Sequence, residues 1–196
     1  MPHDALILAS SSPRRQELLT SMGIPFEVHP ADVDEDVKGH PQEVVLLLAQ
    51  RKAQALRPQF PHRYILAADT LVSLDGRIFG KPKDEPDARR MIQALQGKWH
   101  EVHSGVCLIA PGEEEANARH AMTKVHFAPL TQDEVDAYVA SGEPFGKAGA
   151  YAIQGRAGMF ITEIIGSFSN VIGLPTALVR QMLISHRYPF QKEQVV

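Results

Sequence analysis

The fold is decided near the start of the chain, by the stretch Ala5-Leu-Ile-Leu-Ala-Ser-Ser-Ser-Pro-Arg-Arg15. Its first five residues form an apolar run of strand length. Ser12 suits a helix N-cap, and Pro13 suits the first helical position. Gly23 suits the end of that helix. The chain therefore begins with a strand, a serine-rich turn and a helix, an order typical of α/β proteins.

The rest of the chain also mixes strands with helices, which predicts one α/β domain over residues 1–196. Asp75-Gly76 predicts a hairpin turn, and the spacing of Thr131 and Glu134 predicts a capping box. The glycine-rich segment 142–158 is too long for a plain turn, so we expect it to be functional. Residues 188–196 are expected to be a loosely ordered tail.

Hydrophobic patterns also give the bounds of the other predicted elements. The patterns predict strands at 24–29, 64–72, 101–109, 121–127, 159–165 and 168–172, and helices at 41–56, 86–95, 131–140 and 175–185.

Composition excludes several classes of protein. The chain has 196 residues, 44% of them apolar, and 20 basic against 23 acidic residues give a net charge of −3. An acidic chain lacks the electrostatic footprint of a nucleic-acid binder, and no apolar run approaches the ~20 residues of a membrane span. The single cysteine, Cys107, fits a reducing compartment and a buried strand position. We therefore expect a cytoplasmic protein, and any anionic ligand must bind a local cluster of cations.

The turn after the first strand is a candidate anion site. A strand that leads into a helix N-terminus presents backbone amides to an anion. Hydroxyl groups at Ser10 and Ser12 add donors, and Arg14 and Arg15 add planar guanidinium groups that suit phosphate. The alternative is an ordinary capped helix with solvated arginines.

Asp69 interrupts an apolar strand together with Thr70. A carboxylate there is costly unless it is paired or functional, and site residues in open α/β sheets lie at the carboxyl ends of strands. We therefore favour a functional Asp69; the alternative is a strand that ends at Ala68, with Asp69 as a turn residue.

Isolated lysines are the third candidate group. Lys52 lies on the apolar face of the predicted helix 41–56, so its ammonium either extends to solvent or meets an anion. Lys81 and Lys147 occur in glycine-rich segments, and each alone favours a solvated cation. The acidic loop 32–36 either holds magnesium beside phosphate or is solvated.

Other site chemistries are not indicated. Scattered histidines argue against zinc, and no G-x-S-x-G or Walker A motif occurs.

Taken together, six motifs in order resemble the Maf family of nucleoside triphosphate pyrophosphatases, also called septum formation inhibitor proteins. They lie at residues 10–15, 67–70, 80–82, 104–106, 142–155 and 170–175. The resemblance implies a two-lobed, mixed twisted sheet with flanking helices, like that of inosine triphosphate pyrophosphatases, with a cleft between the lobes. It also implies hydrolysis of a nucleoside triphosphate to the monophosphate and pyrophosphate, a divalent cation (Mg²⁺ or Mn²⁺), a homodimer, and a role in removing modified nucleotides.

Matched residue by residue, the resemblance implies a general base at Asp69 and a metal site at Glu35 and Asp69. It implies substrate selection by Arg14, Thr70 and Gln154. The residues implied on the phosphate side are Ser10, Ser12, Arg15, Lys52, Lys81 and Lys147.

The segment 147–155 resembles the family branch that acts on dTTP and UTP. Its Tyr-x-Ile-Gln-Gly pattern ends on Gln154-Gly155, where the 7-methyl-GTP branch usually carries a Ser-Glu-Gly type of segment. Gly146 stands where many dTTP/UTP members have an aspartate. Hydrolysis of 7-methyl-GTP or another modified nucleotide is the first alternative. A nucleotide-binding regulator of cell division is the second, and an enzyme acting on a phosphosugar is the third.

Overall fold

A computed structural model describes residues 5–113 and 115–190. The strands are β1 (Leu6–Leu8), β2 (Phe26–Val28), β3 (Ile65–Leu74), β4 (Arg77–Phe79), β5 (Trp99–Ile109), β6 (Asn117–Phe127) and β7 (Ile161–Ile165). The helices are α1 (Pro13–Ser21), α2 (Pro41–Leu56), α3 (Glu85–Leu95), α4 (Gln132–Ala140), α5 (Phe168–Ile172) and α6 (Thr176–Ser185). Two short 3₁₀ helices, Ala148–Ala150 and Arg156–Phe160, lie in the glycine-rich segment.

The strands form one mixed sheet in the order β2-β1-β3-β5-β6-β7, with β4 paired to β3. The strand β1 runs parallel to both β2 and β3, whereas the β3–β4 and β6–β7 pairs are antiparallel. This mixed sheet with helices confirms the predicted α/β class. Among the described residues, no helix combines the length and apolarity needed to cross a membrane.

The chain divides into two compact units. The first contains the described residues within 5–69, 104–121 and 173–190, and its sheet is buried on both faces. Leu6 and Leu8 pack with residues of α1 and α6, whereas Ile7, between them, packs with residues of α2. Successive strand side chains point to opposite faces, so continuous apolar runs such as β1 are required here. Cys107 is fully buried in β5 as predicted, and burial raises the pKa of its thiol to about 12.

The second unit contains residues 70–103 and 122–172. Its core combines the apolar face of α3 with α4 and the ends of β5 and β6. Aromatic rings pack edge to face in this core, with Phe127 contacting both Tyr151 and Phe160. The capping box of α4 is present at Thr131 and Glu134, as predicted.

Local signals predicted several boundaries correctly. The helix α2 has the predicted bounds, Pro41–Leu56. Gly23 follows α1 with a φ of 68°, and Ser12 occupies the N-cap position, although its side chain makes no capping bond. The turn residues Asp75 and Gly76 both have positive φ, 51° and 78°, and join β3 to β4. Such values favour Asp-Gly in two-residue hairpins.

Two local predictions are wrong. Residues 168–172 form the helix α5 rather than a strand, because the buried side chain of Asn170 donates to Val102 O and Thr123 Oγ1, each at 3.0 Å. The strand β7 begins at Ile161 rather than at 159, since the preceding residues belong to a 3₁₀ helix. Of the predicted tail, Tyr188 is buried and packs against Tyr64, and residues 191–196 lie outside the described part.

Candidate active site

Three charged side chains of the first unit meet at the Lys52 ammonium. Lys52 Nζ lies 2.6 Å from Asp69 Oδ1 and 2.7 Å from Glu35 Oε1. The Lys52 side chain is 10% exposed and that of Asp69 is 14% exposed, whereas Glu35 is about half exposed. Of the two alternatives for Lys52, the structure therefore supports contact of the ammonium with anions rather than extension to solvent. A buried charge of this kind needs its partners, because desolvation without them is costly.

The close packing of α2 on β5 places Lys52. A Cβ atom at Gly105 would overlap the backbone carbonyl of Val45, so only glycine allows the helix to approach the strand this closely. Lys52 follows Val45 by seven residues, which is two helical turns, and lies on the same buried face. The sequence prediction did not assign this role to Gly105, although an isolated glycine inside a strand often marks a close backbone approach.

Asp69 lies within β3, which excludes the alternative of a strand that ends before it. The strand does not end at Ala68 but continues to Leu74, so Asp69 is neither a turn residue nor at the carboxyl end of the strand. The four residues before it are fully buried. Strand backbone on both sides therefore holds Asp69 rigidly. Its Oδ1 accepts from Lys52 Nζ at 2.6 Å.

The serine-rich turn is tied together by Ser10 and Arg15. Ser10 is buried, and its Oγ accepts from Arg15 Nη1 at 3.0 Å and from Ser12 N at 3.3 Å. Arg15 Nε donates to Gly173 O at 2.9 Å. Burial lowers the pKa of the Arg15 guanidinium, and the nearby Asp69 carboxylate opposes that shift. The turn and the carboxylates are therefore electrostatically coupled.

Arg14 is half-buried in the first turn of α1. It stands next to the Arg15 guanidinium, and their like charges contribute to the lowered pKa of Arg15. Ser12 precedes α1, whose N-terminus carries partial positive charge. The structure thus brings Ser10, Ser12, Arg14, Arg15, Glu35, Lys52 and Asp69 into one cationic and acidic cluster of the first unit.

The other predicted site residues, Thr70, Lys81, Lys147 and Gln154, belong to the second unit. Two of its loops are joined where Gly149 N donates to Gly80 O at 3.0 Å, and this brings the segments of Lys81 and Lys147 together. Gly149 has a φ of 68°, and a Cβ there would lie 2.8 Å from Val72 Cγ2. Glycine is required at this contact for both reasons.

Lys147 and Gln154 differ in how they are held. The Lys147 ammonium donates to the carbonyl oxygens of Glu143 and Phe145 in its own loop. Gln154 is exposed in a turn closed by a bond from Gly155 N to Ala152 O at 3.1 Å. Thr70 is half-buried in β3, and Lys81 is exposed after β4.

The Glu35 and Asp69 carboxylates fit the divalent cation that the resemblance implies. Both approach one point, now held by the Lys52 ammonium, so their geometry favours positive charge there. Carboxylate oxygens are ligands that Mg²⁺ prefers, and Mg²⁺ usually takes only one or two of them beside phosphate and water. Within residues 5–113 and 115–190, no group of three or more His, Cys, Asp or Glu side chains is arranged to bind a metal.

Comparison with known proteins assigns the chain to a family. The family model for Maf-like proteins matches residues 5–186. The chain belongs to the Maf family. A relative from Symbiobacterium thermophilum, named dTTP/UTP pyrophosphatase, is 49% identical over 94% of this chain and 95% of its own length. Relatives of the same name from Anaeromyxobacter dehalogenans and Pelotomaculum thermopropionicum are 48% and 44% identical, over 96% and 93% of this chain and 97% of each relative. The predicted resemblance to the Maf family and its dTTP/UTP branch is confirmed.

Proposed function

We propose that the chain is a nucleoside triphosphate pyrophosphatase that hydrolyses dTTP and UTP to the monophosphate and pyrophosphate. The observation that carries the proposal is the Asp69 carboxylate, held on Lys52 in a rigid strand and electrostatically coupled to Arg15. The names of three Maf relatives that are 44–49% identical over nearly the whole chain support the same substrates. The homodimer, implied by the resemblance, and the cytoplasmic location, expected from composition, stay predictions.

Asp69 is the proposed general base. Because Oδ1 accepts from Lys52, the carboxylate is fixed in orientation, and Oδ2 is the oxygen that would accept a proton from water. That water attacks the α-phosphorus, the bond to the β-phosphate bridging oxygen breaks, and pyrophosphate leaves. A base that is positioned within hydrogen-bond reach of the water contributes about 10²–10⁴-fold to such a reaction.

The cations next to Asp69 are proposed to bind phosphate. Arg15 is preorganised by its bonds to Ser10 and Gly173, so little conformational entropy is lost when an anion binds. Arg14, Ser12 and the N-terminus of α1 add donors on the same turn. Fixed positive charge stabilises the negative charge that develops on departing pyrophosphate.

Glu35 and Asp69 are the residues that would hold Mg²⁺ or Mn²⁺. When bound, such an ion neutralises phosphate charge and lowers the pKa of coordinated water. Lys52, which contacts both carboxylates, would keep them close together before the ion arrives.

Residues of the second unit are proposed to select the substrate. Gln154 offers both a donor and an acceptor, which suits the edge of a pyrimidine base, and its exposed turn leaves the amide accessible. Thr70 and Arg14 are assigned to selection with it. Lys81 and Lys147 are assigned to the phosphate side.

A nucleotide panel with pyrophosphate detection tests the proposal. The purified protein is incubated with dTTP, UTP, dCTP, dATP, dGTP and 7-methyl-GTP, with and without Mg²⁺. We expect the highest kcat/KM for dTTP and UTP and little turnover without the ion. Preference for 7-methyl-GTP would move the protein to the other branch. Absence of turnover of every nucleotide would reject the enzyme and favour a regulator that only binds nucleotides.

A further inference from the structure

The carboxylate of Glu143 holds the backbone that follows Gln154. Glu143 Oε2 accepts from Arg156 N at 2.8 Å, and Oε1 accepts from Ala157 N at 3.2 Å. These amides begin the 3₁₀ helix Arg156–Phe160, where intrahelical partners are lacking. Tyr138 places its hydroxyl 3.2 Å from Glu143 Oε1 and fixes the carboxylate from the other side.

The end of α4 sets the position of Glu143. The helix ends at Ala140, and Gly142 has a φ of 73°, which turns the chain sharply. Glu143 N then donates to Ser141 Oγ at 3.2 Å. The half-buried side chain is thus aimed at a segment that lies twelve to fourteen residues further along the chain.

Gly155 leaves the space in which the carboxylate lies. A Cβ atom at Gly155 would overlap the Glu143 carboxylate, so the side chain packs directly on the residue that follows Gln154. The turn closed by Gly155 N and Ala152 O also contains Gln154. The carboxylate therefore restrains both the turn and the helix start that flank the Gln154 side chain.

The backbone of Glu143 restrains a second predicted site residue. Its carbonyl oxygen accepts from the Lys147 ammonium. One residue thus contacts the Lys147 side chain through its main chain and the segment after Gln154 through its side chain. These two roles are separable, because substitution of the side chain leaves the carbonyl in place.

We infer that Glu143 is a positioning residue for base selection: its carboxylate fixes the 154–157 backbone so that the Gln154 amide meets a pyrimidine edge in one orientation. The inference rests on the proposed function. Hydrogen bonds from backbone N–H groups to a carboxylate are stronger than those between neutral groups, so their loss should loosen this segment more than the rest of the unit. The chemistry at Asp69 should be little affected.

Glu143→Gln is the first test. The amide is isosteric, but it offers one acceptor oxygen, so its NH₂ group must face Arg156 N or Ala157 N. We expect faster hydrogen exchange at these two amides, and a fall in kcat/KM for dTTP of about tenfold that comes mainly from KM. The ratio of kcat/KM for dTTP to that for dCTP should also fall, which a general loss of stability would not produce.

Glu134→Gln is the matched control. It removes the same charge from the capping box of α4 in the same unit, where a glutamine oxygen can still accept from Thr131 N, so it reports the effect of a lost carboxylate charge without a change at residues 154–157. We expect kcat/KM and the dTTP to dCTP ratio to stay within about twofold of the wild type, as for surface positions.

Gly155→Ala is a second variant, which keeps the carboxylate but displaces it. The same exchange and selectivity changes are expected, and combining both substitutions should add little, because each breaks the same contact. Unchanged exchange at 156 and 157 in Glu143→Gln, or faster exchange with unchanged KM and selectivity, would overturn the inference. Failure of the proposed function looks different: the wild type would then hydrolyse no dTTP or UTP, whatever the exchange data show.

Discussion

Lys52 Nζ lies 2.6 Å from Asp69 Oδ1, and the same ammonium lies 2.7 Å from Glu35 Oε1. Because two carboxylates share one cation, loss of either leaves Lys52 with an anionic partner. Removal of one partner of an isolated buried pair usually destabilises a protein strongly. Here Lys52 keeps a partner, so effects on catalysis can be measured without a large loss of stability. The cluster is therefore suited to substitution experiments.

Asp69→Asn should fold and lose activity. The amide oxygen can still accept from Lys52, and Glu35 keeps the ammonium paired, but the carboxylate base is gone. We expect kcat/KM for dTTP to fall by about a hundredfold or more, with an unchanged circular dichroism spectrum. Asp75→Asn, in the β3–β4 turn, is the matched control, because asparagine also tolerates positive φ. Full activity in Asp69→Asn would remove this residue from the role of base.

Gln154→Glu should weaken turnover of dTTP and UTP more than it weakens Mg²⁺ binding. A carboxylate has no donor for the pyrimidine edge and adds charge that repels a triphosphate. Steady-state kinetics and Mg²⁺ titration measure the two effects separately. Gln181→Glu, an exposed position in α6, adds the same charge elsewhere. If kcat/KM stays unchanged for both nucleotides, Gln154 does not select the base.

Gly105→Ala should destabilise the first unit. The added methyl group would overlap the Val45 carbonyl, and because this is backbone, α2 as a whole must move. We expect a loss of about 1–3 kcal/mol in the free energy of unfolding, with lower activity because α2 carries Lys52. Urea denaturation measures the loss. Gly80→Ala is the control, since nothing lies within 4 Å of its added Cβ; equal stability of the two variants would contradict the prediction.

The stability of the second unit should depend on pH through His100. This side chain is buried with Nε2 2.8 Å from the Tyr151 hydroxyl, and burial lowers its pKa from 6.5 to about 4. Between these values the unfolded chain binds a proton that the folded chain does not, so stability falls as the pH falls. The loss amounts to about 3 kcal/mol across the window.

Urea denaturation at pH 7.5, 6, 5 and 4 tests this dependence. His100→Gln lacks the titrating group and should show a smaller decrease in the free energy of unfolding, whatever its stability at pH 7.5. His62→Gln, at an exposed position, should keep the wild-type decrease. An equal decrease in wild type and His100→Gln would show that other groups cause it.

Periodic and local features were predictable from the sequence. The face of α2 that carries Lys52 follows from helical geometry alone, and the Asp75-Gly76 turn follows from the backbone angles that its residues favour. The sequence does not identify the anions that contact Lys52. The contact with Asp69 joins a helix to a strand, and it depends on how closely Gly105 lets the helix approach the sheet.

Features that depend on tertiary contacts could not be predicted from the sequence. The five residues of α5 are too few to show a period, and their helical form depends on the buried bonds of Asn170. Asp69 within an apolar run is compatible with a strand end or a strand interior, and only the pairing of β3 distinguishes them. Glu143 gives no local signal, since its carboxylate meets amides more than ten residues away.

The buried thiol of Cys107 makes the protein convenient for spectroscopy. It is the chain's single cysteine, and with a pKa of about 12 fewer than about one in a thousand of its thiols are thiolate at pH 7.5. Alkylating dyes react with thiolate, so the native side chain stays unlabelled. A cysteine introduced on the surface, as in Gln181→Cys, would react alone with a maleimide fluorophore, and the natural one need not first be removed.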